Sequence, residues 1–261
     1  MKAKYLLVLS LFMALASCSE NKSTKSDSGD VDLESAIKNA ESRRKADPNA
    51  SGGNQCLLDY QTKYDQVLSE ADMLTATGFS KEVMETKNNK ALKNPEYHEF
   101  IYKFKNGRVS KTGITKGLPM SDVVKIGNIK AISLFAFEST YRAISDEEMK
   151  AAKDALNDAA DGKSGDADAD AAVKKAEGQN VSREQVKDIG GGIMDVMKEV
   201  SQGYRVVDHL GDAARWNRIS NELYVLQNGV QFVILCDVND DNEKNKSVAI
   251  ELAKNILKKC K

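Results

Sequence analysis

The sequence predicts an α+β fold with a mostly antiparallel sheet, packed helices and an inserted helical hairpin. Three observations lead there: an Asn228-Gly229 pair between two alternating apolar arms, the doubly apolar run Ile129 to Phe137, and two serine-initiated capping boxes between them. In NELYVLQNGVQFVILCDV both central residues tolerate positive φ, which a type I′ turn demands. A two-residue loop pairs Gln227 with Val230, so Val225 falls opposite Phe232 and Leu223 opposite Ile234 on one face. The other face, with Tyr224, Leu226, Val233 and Leu235, is apolar enough to be partly covered.

The remaining elements follow in chain order. LLDYQTKYDQVLSEADMLTATGF carries Leu57, Tyr60, Tyr64 and Val67, then Met73 and Leu74, at helical spacing, which predicts one amphipathic helix followed by a shorter one. EFIYKFKNGRVSK predicts an edge hairpin about Asn106-Gly107, with Phe104 opposite Val109. Lys103, Lys105, Arg108 and Lys111 would guard that edge, while Tyr97, Phe100, Tyr102 and Phe104 read as sheet core, with a ligand groove as the alternative. IKAISLFAF is apolar on both faces and predicts a central strand.

The insertion, at about 144-200, opens on Ser145 with Glu148 and continues from Ser182 with Gln185, each pair a capping box ahead of a helix. Val186, Ile189, Ile193, Val196, Met197 and Val200 predict the core face of the second helix. Gly190 to Gly192 predict a kink or a close backbone approach within it. The last segment, DDNEKNKSVAIELAKNILKKC, leads with acids, trails with Lys258 and Lys259, and lines Val248, Leu252 and Ile256 on one face, as a helix aligned with its dipole does.

Lys2, Lys4 and the apolar run Leu6 to Ala16 make residues 1-17 a secretory leader, too short to span a bilayer. At its end Leu15-Ala16-Ser17-Cys18 resembles the lipobox of bacterial lipoproteins and matches at each of the four positions. The resemblance implies cleavage before Cys18, which would carry a thioether-linked diacylglycerol and an amide-linked acyl chain and so attach the protein to a membrane. With Ser19 in place of Asp, it also implies sorting to the outer membrane, the periplasmic or surface face remaining open. Residues 18-54, rich in Ser, Lys, Asp, Asn and Gly, read as a flexible tether with one helical patch, VDLESAIKNAESRRKA. Residues 55-261 read as a single α+β domain that contains the insertion. Its closing segment, with Gly211-Asp212, Trp216, the Asn-Gly hairpin and the final helix, resembles the end of small α+β lipoprotein domains of PsbP-like architecture. That resemblance implies a binding or accessory module.

Removal of the leader leaves 36 Lys+Arg against 39 Asp+Glu, a mixed surface with formal net charge −3. Such a surface argues against nucleic acid and against a polybasic membrane patch. The cysteines that remain are Cys56, Cys236 and Cys260, an odd number. Cys236 shares a strand face with Phe232 and Ile234 and reads as a buried hydrophobe. Cys56 and Cys260 stand at the two ends of the ordered region and form a candidate disulfide, although spacing does not fix connectivity. Asp166, Asp168, Asp170 and Glu177 occupy positions 1, 3, 5 and 12 of an EF-hand-like loop, but Ala171 stands where the sharp turn needs Gly, so an acidic linker is the simpler reading. DVNDDNE, residues 237 to 243, reads as a strand-to-helix turn.

The catalytic inventory is sparse. His98 and His209 lack a second histidine at ligand spacing, and Gly162-Lys163-Ser164 has Asn157 where a phosphate loop needs Gly. A Cys236 and His209 nucleophile pair requires an accessible thiolate, which a core strand position denies. Arg215 beside Trp216 reads as an anion-binding or cation–π pair, or else Trp216 is a core anchor. The expectation is a non-catalytic, lipid-anchored envelope lipoprotein without cofactor that binds an envelope protein or component. A calcium-stabilised surface module and an envelope hydrolase are the alternatives.

Overall fold

The structure, a computed structural model, describes residues 53–260 apart from 112, 166 and 179. The expected leader, Cys18, nearly all of the expected tether and Asp166 lie outside the described residues. The fold is α+β. The described chain forms two compact units, a sheet unit made of residues 53–142 with 203–260, and a helical unit, Ala143–Gln202.

The sheet unit starts with α1 (Gln55–Leu58), α2 (Tyr64–Val67) and α3 (Glu70–Thr77), three short helices where the spacing predicted one longer and one shorter. The interruption is local: Leu68 is extended, and Ser69 with Asp72 forms a full capping box that starts α3 afresh. Strands β1 (Met84–Asn89), β2 (Glu99–Phe104) and β3 (Asp122–Ala131) follow, then α4 (Leu134–Thr140). The helical unit supplies α5 (Asp146–Ala160), α6 (Ala167–Gly178) and α7 (Arg183–Ser201). The chain then returns through β4 (Tyr204–Val206), β5 (Ala213–Asn217), β6 (Glu222–Gln227) and β7 (Val230–Asp237) to α8 (Asn242–Lys259). The seven strands form one sheet in the order β1-β2-β3-β7-β6-β5-β4, with every neighbouring pair antiparallel.

The β6–β7 hairpin has the register its sequence dictates: Gln227 pairs with Val230, Val225 with Phe232 and Leu223 with Ile234, across Asn228 at φ 47° and Gly229 at φ 72°. Leu223, Val225, Val230, Phe232 and Ile234 join Tyr102, Phe104, Val124, Ile126, Trp216 and Cys236 in the main core, under α1 to α3 and α8. Val at position 229 would place a β-branched side chain in the left-handed region, so Gly229→Val is expected to cost about 1 to 3 kcal/mol. Gly107 has φ 76° and bears the same backbone strain, but Gly107→Val should cost less in total, since Gly107 sits outside the sheet register and its strain misplaces no core strand. Denaturant melts of both variants beside the parent measure the contrast.

Two strand expectations need correction. No two-residue hairpin forms at Asn106-Gly107; the chain loops from Phe104 to Asp122, and β2 pairs with β3, Phe104 opposite Asp122. The apolar run Ile129 to Phe137 is split, because the Ser133 side chain accepts the Ala136 N–H and caps α4. The run's first residues belong to β3, an interior strand that starts seven residues earlier and pairs with β7 at the middle of the sheet, and β1, whose sequence METKNN has no apolar alternation, forms one edge.

In the helical unit both capping boxes are present, Ser145 with Glu148 and Ser182 with Gln185. Its core gathers Met149, Ala152, Leu156, Ala159 and Ala160 of α5 against Ala169, Val186 and Met194. The buried face of α7 is thus Val186, Gly190 and Met194, rotated from the predicted one; Ile189, Val196 and Met197 are exposed. The helix runs unbroken through Gly190 to Gly192, and a Cβ at Gly191 or Gly192 would meet nothing within 4 Å, so neither marks a close approach.

Candidate functional site

Cys56 and Cys260 are joined in a disulfide, with Cα atoms 5.5 Å apart. It fastens α1 to the end of α8. Around it, Asn54 donates from its backbone to Asn228 O (2.9 Å) and from Nδ2 to Cys260 O (3.1 Å). Lys259 Nζ donates to Asp72 and to the carbonyls of Gln66 and Val67, which satisfies the open end of α2. The first described residues are therefore held to the 228–229 turn and to the last helix together.

The other residues of chemical interest are structural where they are described. Cys236 is fully buried, and burial pushes its thiol up to about 12, so it is not a thiolate at neutral pH. His209 is exposed on a turn with φ 59°, and so cannot meet that thiol as a base. His98 is buried, with Nε2 donating to Leu92 O at 2.7 Å. The acidic segment is not a loop: from Ala167 it is helix α6, favoured by its alanines, and the Glu177 carboxylate accepts from Arg183 Nε at 2.6 Å. Ser164 donates to Asp170 at 3.2 Å. A calcium loop through Asp168, Asp170 and Glu177 is incompatible with that helix. Among the described residues no group of three or more His, Cys, Asp and Glu is placed to hold a metal ion. Arg215 and Trp216 alternate across β5: Trp216 is buried and donates to Asn242 Oδ1 at 2.9 Å, while Arg215 reaches Glu138 at 3.7 Å, so they do not stack.

The long β2–β3 connection is held by charge. Arg108 pairs with Asp122 (2.5 Å) and with Asp237 (3.0 Å on the carboxylate, 2.9 Å on the carbonyl), and Lys111 pairs with Asp240 at 2.5 Å. Asn106 also donates to Asp122 at 2.9 Å. Arg108 is turned inward to an acidic corner made by β3 and β7, which is why the expected guard residue does not lie along a hairpin.

The sheet's second face carries the candidate site. Tyr224 and Leu226 of β6, Ala213 of β5 and Tyr204 of β4 lie there under α4, whose Phe137 is buried among them together with Tyr141. Tyr141 stacks on Tyr224 with ring centres 4.1 Å apart, and Tyr204 meets both edge-on at 5.8 and 5.7 Å. Tyr141 donates to Gln231 (3.1 Å), and Tyr224 to Glu222 (2.5 Å). Burial, with Glu222 next to it, holds the Tyr224 phenol far above its ordinary range, and burial raises Tyr204 as well. These hydroxyls stay protonated at neutral pH, and the cluster forms a packed aromatic floor whose hydroxyls donate hydrogen bonds. On its rim the apolar groups are open: Phe135 is 79% exposed at the start of α4, Leu134 48%, and Val206 on β4 59%. A packed aromatic floor with an exposed Phe at its rim suits recognition of an apolar surface. Spacing could not reveal it, since Tyr141, Tyr204 and Tyr224 meet only through the β4–β5–β6 pairing and the fold of α4.

The chain matches no known family, no curated protein and no solved structure.

Proposed function

We propose that the protein is a non-catalytic, lipid-anchored envelope lipoprotein that sits in the outer membrane through Cys18 and binds an envelope protein or component with the α4–β4 rim. The observation that carries this reading is the Cys56–Cys260 disulfide. Structural disulfides persist in oxidising compartments, where the leader and the lipobox-like Leu15-Ala16-Ser17-Cys18 would deliver the chain. The likeness of the closing segment to PsbP-like lipoprotein domains supports an accessory role and no common chemistry. The commitment of Arg108, Asp122, Asp237, Tyr141 and Tyr224 to internal contacts agrees with recognition in place of catalysis.

The binding role is tested by chemical crosslinking on intact cells. Phe135→Asp removes the most exposed aromatic of the rim without touching the buried floor, so the parent's crosslinked species should fall at least tenfold while the melting temperature stays unchanged. An undiminished yield would place binding elsewhere on the chain.

A further inference from the structure

The two edges of the sheet differ. β4, at one end, is three residues long, whereas β1, at the other, runs for six with an unbroken register against β2, from Met84 opposite Phe104 to Asn89 opposite Glu99. Among the described residues no strand pairs with the outer side of β1, and Glu85, Thr86, Lys87 and Asn88 are all exposed. The outward N–H and C=O groups of this edge therefore face another strand's approach, and METKNN has neither proline nor bulge to block one. The edge is also complementary to itself. When two identical strands pair antiparallel about a two-fold axis, one residue stands opposite its own copy and the rest pair about it. An axis at Glu85 or at Lys87 would set like charges directly opposite. An axis at Thr86 sets Glu85 opposite Lys87 twice, on one face, with Thr86 against Thr86 and Met84 against Asn88 on the other. Within one chain Lys87 stands opposite Ile101, so its own register puts no acid directly across from it. Glu85 already accepts a cation on that face, from Lys105 at 2.5 Å.

We propose that two copies of the chain pair through β1, antiparallel and centred on Thr86, so that their two sheets join into one. This goes beyond the proposed function and depends neither on lipidation nor on the Phe135 rim. A contact along one short strand buries less surface than a permanent dimer needs, so the association is weak and has to be trapped covalently. The test uses the full-length chain in intact cells treated with the thiol oxidant diamide. Residues directly opposite in an antiparallel pair lie within disulfide reach, so Thr86→Cys should give a disulfide-linked dimer that the parent does not give. Glu85→Cys or Lys87→Cys alone should give none, since each would lie about 8 Å from its own copy, yet the two variants expressed together should crosslink as a mixed dimer. In the Thr86→Cys background, Glu85→Lys or Lys87→Glu should each lower the dimer yield about tenfold, and both together should restore it, because the exchanged charges again meet across the axis. The purified variants should keep the circular dichroism of the parent. Absence of a Thr86→Cys dimer, a yield indifferent to the charge exchanges, or crosslinks of Thr86→Cys to other proteins alone would overturn the proposal.

Discussion

Replacing both Cys56 and Cys260 with Ser should lower the unfolding free energy by about 5 kcal/mol, the chain-entropy value for a closed loop of this size. The two cysteines are 204 residues apart, so the bond restrains almost the whole described chain in its unfolded state. The folded state should change little. Asn54 still caps α1 by accepting the Leu57 N–H at 3.1 Å, and Lys259 still holds Asp72 at 2.6 Å. The loss should therefore appear in denaturant melts together with a larger m-value, because the freed chain exposes more surface on unfolding. Circular dichroism of the native protein should not move. A loss below about 1 kcal/mol would mean that the bond does not form in the protein as produced.

Gly211→Ala should cost roughly 3 kcal/mol, combining the strain of a side chain at positive φ with displacement of neighbouring backbone. Gly211 has φ 63°, and a Cβ there would lie 2.3 Å from Leu226 O and 3.1 Å from Val225 Cγ1. That carbonyl accepts the Asp212 N–H at 2.8 Å, and the Asp212 carboxylate in turn accepts the Asn228 N–H at 2.5 Å. Moving Leu226 thus disturbs the start of β5, the end of β6 and the 228–229 turn at once. Gly192→Ala is the control: with nothing within 4 Å and a helical backbone, it should be neutral or stabilise by up to about 1 kcal/mol. Equal effects at the two positions, read from the same melts, would remove the special role of Gly211.

Much of the fold is legible where a local rule and the tertiary register agree. Asn228-Gly229 fixes one turn, and both its arms alternate in phase, so the pairing of Leu223 with Ile234 follows from the residue pattern alone. Asn106-Gly107 has the same dipeptide but no apolar second arm to enforce a register; Arg108 instead finds Asp122 and Asp237, residues far along the chain. Ser133 interrupts an apolar run with a cap whose force depends on the next residues turning, which periodicity does not record. On α7 the rotation of the buried face follows from alanines of α5 meeting Val186 and Met194, a choice among apolar residues that spacing leaves degenerate. Position at the two ends of the ordered region marks Cys56 and Cys260 as a candidate pair without fixing their connectivity. The aromatic floor is not legible in the sequence, since its three tyrosines are gathered by strand order.

The most direct measurement of the account's central claim is the fate of Cys18→Ser in cells. If Cys18 carries the anchor, the parent should fractionate with the outer membrane and incorporate radioactive fatty acid, while Cys18→Ser should be unlabelled and recovered in the soluble fraction with its Cys56–Cys260 bond intact. Unchanged membrane association of the unlabelled variant, or a parent that takes up no fatty acid, would contradict a lipid-anchored protein.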